Sequence, residues 1–302
     1  MKKALDIQQE ITVNLLLWEK LKKIITIKRN KLVILERIKK YLVDSISFHQ
    51  EEGYFNEIIN INLKITSITK EIATLKSTIK SIKNELGRLV YIKQYQKLAL
   101  PGLKILHILG KRNIFRDLSL NPELLKYKQI IEKSRIEVDR SIKNFIPDIT
   151  LNLGITLKSM DPVANFMGKK GLLSALMMNL PVYKEKLSAQ IESRIFENYA
   201  ARFELTMKER EILRDFFRNN IEFYLNKIIL KIVDKEIKEV KTIKNYTKKL
   251  ISLAKTNLIN NLEIEIMLFD YIETRISYSY DKTIANLKNR FLVGKFILGG
   301  ER

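Results

Sequence analysis

The sequence predicts a mainly α protein, in which long antiparallel coiled-coil helical hairpins flank one small β-hairpin. Three observations carry that expectation. All five prolines (Pro101, Pro122, Pro147, Pro162 and Pro181) fall in the middle of the 302 residues. Proline disrupts helix interiors, so long helices belong to the flanks. After Gly53, isoleucine and leucine recur at alternating steps of three and four, the spacing of a coiled-coil seam. Between the flanks, residues 149–157 alternate apolar and polar, which is the period of a two-faced strand.

The first hairpin is predicted over residues 1–98. Its seam runs through Ile58, Ile61, Ile65, Ile68, Ile72, Leu75, Ile79, Ile82, Leu86 and Leu89, with serine, threonine, lysine and glutamate between them. So narrow a stripe needs a partner helix. The preceding stretch supplies one with Leu35, Ile38, Leu42 and Ile46. Gly53 stands where the chain would turn, since glycine accepts the left-handed conformation that ends a helix.

A connector is expected over 99–120 and a helix over 121–147, with Asn121 able to cap it and Pro122 in its first turn. The β-hairpin is assigned to 148–181. Its first strand is Ile149 to Leu157, and the second, Leu172 to Leu180, alternates less clearly and stops at Pro181. Each is about nine residues, the length of a tilted membrane-spanning strand. A small hairpin packed on a soluble core would have the same length.

Residues 182–294 form the second helical hairpin, with a tail over 295–302. No proline or glycine interrupts Val182 to Val293. One helix passes through Leu187, Ile191, Ile195, Phe203, Ile229, Val233, Ile237 and Val240 to about Lys255. At about 1.5 Å per residue it would be roughly 100 Å long. A second helix returns from Leu258 through Leu262, Ile266, Phe269, Ile272, Ile276, Tyr280, Ile284, Leu287 and Phe291 to Gly294. The turn falls near Thr256–Asn257, where asparagine is the next residue after glycine to tolerate a left-handed position.

Composition limits the function. The formal charge of +21 would suit a nucleic-acid binder. The lysines, however, alternate with isoleucines and are interspersed with Glu36, Glu51, Glu71 and Glu85, rather than gathering into one recognition stripe. There is no cysteine, so disulfides and thiolate metal sites are excluded. His49 and His107 have no metal-ligand spacing, and no nucleophile elbow or phosphate loop is present. No catalytic residue, cofactor or metal is therefore expected. At the N-terminus, Asp6, Gln8, Gln9 and Glu10 interrupt any signal-peptide core.

Several motifs, in order, resemble the outer-membrane efflux protein family of TolC type. Leu120-Asn121-Pro122-Glu123-Leu124 is similar to its Asn/His-Pro-Glu-Leu helix opening. Phe145-Ile146-Pro147-Asp148-Ile149 resembles its Tyr-x-Pro-Asp-Ile passage from helix to strand. Asn179-Leu180-Pro181-Val182-Tyr183, with Ala189-Gln190-Ile191, resembles its Leu-Pro-aromatic passage from strand to helix. Glu52-Gly53-Tyr54 is similar to its tip turn, and Tyr280-Asp281, Leu287 and Gly294 to its closing helix.

The resemblance implies a homotrimer in the outer membrane and periplasm. It would be a passive export conduit that works with a periplasmic adaptor and an inner-membrane pump and binds no nucleic acid. Ile149, Leu151, Leu153, Ile155 and Leu157 would then face outer-membrane lipid, and Thr150, Asn152 and Thr156 the lumen. The family's acidic gate positions fall on Asn260 and Glu263, of which only Glu263 keeps the charge. Equally, Glu263 reads as an ordinary solvated helix residue. Gly53, Tyr54, Thr256, Asn257 and Leu258 would be the adaptor-docking tips. The segment from Asn179 to Lys184 resembles the branch that serves metal-cation pumps. The family's leader, first helix and first β-hairpin are expected to be missing from this sequence, either because it is truncated at its start or because it is a reduced variant, and three such subunits would supply half the usual strands. The alternative reading is a cytoplasmic basic coiled-coil protein that binds nucleic acid or other acidic partners.

Overall fold

The longest uninterrupted apolar patterns form the helices of the computed structural model, which describes residues 2–46, 53–90, 121–144, 146, 148–157, 170–179, 183–252 and 258–294. The elements are α1 (Lys2–Ile46), α2 (Gly53–Val90), α3 (Pro122–Lys143), β1 (Asp148–Leu157), β2 (Lys170–Asn179), α4 (Lys184–Ser252) and α5 (Leu258–Leu292). The chain divides into two units. One comprises Met1–Pro122 and Ile212–Arg302, and the other Glu123–Glu211.

In the first unit α1 is the central helix. Adjacent residues Ile24 and Ile25, and again Ile34 and Leu35, are both buried, so α1 hides two neighbouring faces. One face meets α2. Every residue of the predicted seam from Ile58 to Leu89 is buried or half-buried, and most of its neighbours are exposed. The other face meets α5. Leu5 and Leu16 cluster with Tyr280, Ile284, Leu287 and Phe291, whereas Ile38 and Leu42 cluster with Ile61 and Leu262. Contacts thus descend α1 while they ascend α2 and α5, so both pairs are antiparallel. α5 also packs on α4 through Leu268 against Val233, Ile237 and Val240.

Gly294 closes α5 with a left-handed φ of 73°, and its N–H donates to Phe291 O at 2.9 Å. Asn121 Nδ2 donates to Leu292 O at 2.6 Å, satisfying another carbonyl that the helix end leaves open.

Leu42 is 1% exposed at the meeting point of α1, α2 and α5. Leu42→Ala is expected to lower the stability of the fold by about 2–5 kcal/mol, because the surrounding side chains cannot close the cavity. Urea unfolding followed by far-ultraviolet circular dichroism measures this. A midpoint unchanged from wild type would show that the three-helix contact is absent in solution.

The second unit pairs α3 with residues 184–211 of α4. Here the structure corrects the expected core face. Ile195 and Phe203 are exposed, and Asn198 and Ala201 are buried instead. The reason is steric and polar. Small side chains let the helices approach, and Asn198 Nδ2 donates to Ser134 Oγ at 2.8 Å and to Ile131 O at 3.3 Å. α3 also stops at Lys143 rather than at 147, consistent with the bias of residues before Pro147 away from helix.

The connector 99–120, Thr256 and Asn257 lie outside the described residues. Gly53 is the first residue of α2.

Candidate channel wall and membrane hairpin

The sheet consists of two antiparallel strands among the described residues. Its register pairs Ile149 with Met178, Leu151 with Leu176, Leu153 with Ser174 and Ile155 with Leu172. Directly opposed residues share a face, so one side of the sheet is apolar except at Ser174 and at Lys170, which pairs with Leu157. The other side pairs Thr150 with Met177, Asn152 with Ala175, Gly154 with Leu173 and Thr156 with Gly171. It is smaller and more polar.

Nothing among the described residues covers the apolar side. Ile149, Leu151, Leu153 and Ile155 are 59–71% exposed. A hairpin packed on a soluble core would bury one of its faces, and the described residues of this face are exposed instead. The side chain of Leu157 lies outside the described set. The expected second strand is shifted to Lys170–Asn179.

At the other candidate site, Asn260 and Glu263 lie on exposed positions in the first turns of α5, and Leu258 is its exposed first residue. Glu265 is half-buried and accepts from Lys244 Nζ of α4 at 2.8 Å. The two acids are therefore unequal: Glu265 is neutralised by its partner, and Glu263 has no ion pair among the described residues.

Sequence reasoning missed a ladder of ion pairs along α1. Lys20 Nζ donates to both Asp281 oxygens at 2.8 and 3.0 Å. Lys28 Nζ reaches Glu71 of α2 at 2.6 Å and Glu273 of α5 at 2.9 Å. Lys31 bonds Asp270 and also reaches Glu273 at 3.3 Å. Positions 20, 28 and 31 share a helical face, but lysine is so frequent that spacing alone did not single them out. A groove of about 770 Å³ between α2 and α5 opens beside Lys28 and Lys31.

Burial opposes the Lys28 ammonium, but hydrogen bonds to Glu71 and Glu273 outweigh it and hold its pKa above the usual 10.5. The Lys28 hydrogen bond in turn holds Glu71 below its usual 4.5. The signs differ. The Lys28 contribution is complete below about pH 10.5 and lost as pH rises through the raised value, and the Glu71 contribution is complete above about pH 4.5 and lost as pH falls through the lowered one. Thermal melting across pH 3–12 should therefore show a plateau with a fall at each end, and Glu71→Gln should flatten the acid limb. An acid limb unchanged in that variant would remove Glu71 from the explanation.

Among the described residues, no cluster of three or more His, Cys, Asp or Glu could hold a metal ion. No described helix is long and apolar enough to cross a membrane.

No family profile matches the sequence, and no curated protein matches it. Solved structures do match. The MtrE outer membrane channel of Neisseria gonorrhoeae superposes with a TM-score of 0.80 at 12% identity, over 96% of this chain and 66% of that one. The outer membrane protein VceC of Vibrio cholerae gives 0.78 at 14% identity, over 96% and 70%. This chain has the fold of outer-membrane channel proteins. The Campylobacter jejuni CmeC outer membrane channel gives 0.72 at 12% identity, over 96% of this chain and 63% of that one. The channel fold thus extends over nearly all of the chain, which spans about two thirds of the length of these neighbours.

Proposed function

We propose that the chain is a subunit of an outer-membrane efflux channel, a passive conduit assembled as a homotrimer. The observation that carries this reading is the sheet: one exposed apolar face, one more polar face, and two strands whose outer edges are unpaired among the described residues. A bilayer solvates the apolar face, but it cannot satisfy bare strand edges. The hairpin therefore needs neighbouring strands, and a closed barrel supplies them.

The helical units suit the other half of the task. Narrow apolar seams pair α1 with α2 and α5, and α4 keeps an exposed apolar stripe through Phe217, Ile221, Tyr224, Ile228 and Ile232 that a neighbouring helix of the trimer would cover. In this reading Ile149, Leu151, Leu153, Ile155 and Leu157 face lipid, and Thr150, Asn152 and Thr156 line the lumen. Gly53, Tyr54, Thr256, Asn257 and Leu258 form the tip that meets a periplasmic adaptor, which links the conduit to an inner-membrane pump for metal cations or drugs. Asn260 and Glu263 sit beside that tip. A ring of Glu263 carboxylates there attracts cations.

Planar-bilayer recording tests the proposal. The detergent-extracted protein should insert as discrete ohmic steps with a preference for cations, and Glu263→Gln should reduce that preference without abolishing conductance. A protein that stays monomeric in water without detergent and never conducts would exclude the channel reading.

A further inference from the structure

The second unit carries a cationic and aromatic collar where its helices meet its strands. At the end of α3, Asn144 N–H donates to Arg140 O at 3.1 Å and Ile146 N–H to Lys143 O at 2.9 Å, two residues before β1 begins. On the return, Tyr183 O accepts from Leu187 N–H at 3.2 Å, which fixes Tyr183 immediately before α4. Asp148 pairs with Asn179, so both strands end at one level, next to these two helix ends. Arg194 Nη1 donates to Glu137 Oε2 at 3.3 Å, holding α3 and α4 side by side there.

Ile146 and Tyr183 project into solvent at 66% and 77% exposure. Arg140, Lys143, Lys184 and Lys186 are also exposed, and none has an ion pair among the described residues. Asp139, Asp148 and Glu185 are the acids at the same level, so the cations outnumber them four to three. The partial positive charge at the N-terminus of α4 is offset by the partial negative charge at the C-terminus of α3, so the side-chain cations carry the excess.

We propose that Arg140, Lys143, Ile146, Tyr183, Lys184 and Lys186 form an interfacial collar that binds the phosphate headgroups of anionic phospholipids. The inference rests on the membrane reading of the hairpin and assigns it a lipid partner. Strands of 10 residues at about 3.3 Å per residue and a tilt of about 45° span roughly 23 Å, close to the apolar band of an outer-membrane barrel. The helix ends then fall at headgroup depth in the leaflet nearest the helices. A tyrosine is suited to that depth because its ring is apolar and its hydroxyl wet. Lysine and arginine lay their methylene stems along the apolar boundary and present charge to phosphate.

The test is native mass spectrometry of the full chain in detergent, titrated separately with phosphatidylglycerol and phosphatidylcholine. Wild type should retain phosphatidylglycerol preferentially. The variant R140Q/K143Q/K184Q/K186Q should bind it about 10-fold or more weakly. A charge-matched control, K126Q/K128Q/K133Q/R135Q, removes four cations from α3 farther from the sheet and should keep the preference. Unaltered circular dichroism would show that both variants fold. Equal retention by wild type and the collar variant, or an equal loss in the control, overturns the collar. A wild type that conducts without preferring phosphatidylglycerol also overturns it, whereas one that prefers phosphatidylglycerol but never conducts overturns the channel reading alone.

Discussion

Replacing Glu273 with leucine is expected to destabilise the first unit by about 1.5–3 kcal/mol, because it removes a charge-assisted hydrogen-bond partner shared by two lysines that are largely out of water and leaves each with one solvated carboxylate. The Lys28 and Lys31 side chains are only 12% and 6% exposed. Their remaining partners, Glu71 and Asp270, are 48% and 60% exposed and so are solvated with or without the lysines. A second substitution set decides the cause. Lys28→Met and Lys31→Met together with Glu273→Leu should restore most of the loss, since apolar side chains of similar volume need no carboxylate beside them. Urea midpoints at constant slope measure both. A triple variant no more stable than Glu273→Leu alone would show that the loss comes from packing. The ladder also favours one register: sliding α5 by one heptad would bring Ser277 and Tyr280, or in the other direction Glu263 and Ile266, opposite the lysines in place of Asp270 and Glu273.

Leu153→Arg should abolish insertion of the assembled protein into membranes. Leu153 lies midway along β1 on the apolar face and is 70% exposed. Arginine at the bilayer midplane of a barrel strand costs about 2–4 kcal/mol, and a homotrimer would bear that three times. Asn152→Arg, one residue away on the opposite face, should leave insertion intact and alter conductance and ion selectivity. Membrane fractionation and bilayer recording distinguish them. Equal behaviour of the two variants would mean that the faces of the hairpin do not divide lipid from lumen.

Period made much of this structure legible in the sequence. The Ile58–Leu89 seam repeats at the helical step, and Ile149–Leu157 at the strand step, so each announces both its element and its buried or apolar side. The register of the second strand was less visible. Leu172 and Leu173 are adjacent, as are Leu176, Met177 and Met178, which puts apolar residues on both faces and blurs the alternation. Pairing with β1 resolves it. The buried face of α4 was misread at Ile195 and Phe203, because hydrophobicity alone favours them over Asn198, whose burial depends on hydrogen bonds from another helix.

The candidate sites divide in the same way. The exposed apolar stripe of β1 follows from alternation alone. The ion-pair ladder does not, because Lys20, Lys28 and Lys31 become distinct only once α5 is laid beside α1. Glu263 was found through a resemblance, and only the structure separates it from Glu265, which Lys244 occupies.

The pairing of α1 with α5 has a consequence for the order of folding. Lys20 and Asp281 are 261 residues apart in the chain. At translation rates of about 5–20 residues per second, the second partner is made roughly 13–50 s after the first. α1 can zip onto α2 almost at once, but its other buried face waits with Leu5 and Leu16 uncovered. Closing so long a loop costs little more free energy than closing one half its length, so the final seam is late rather than weak. During that interval the nascent chain presents an open apolar stripe, and a holding chaperone would find its substrate there.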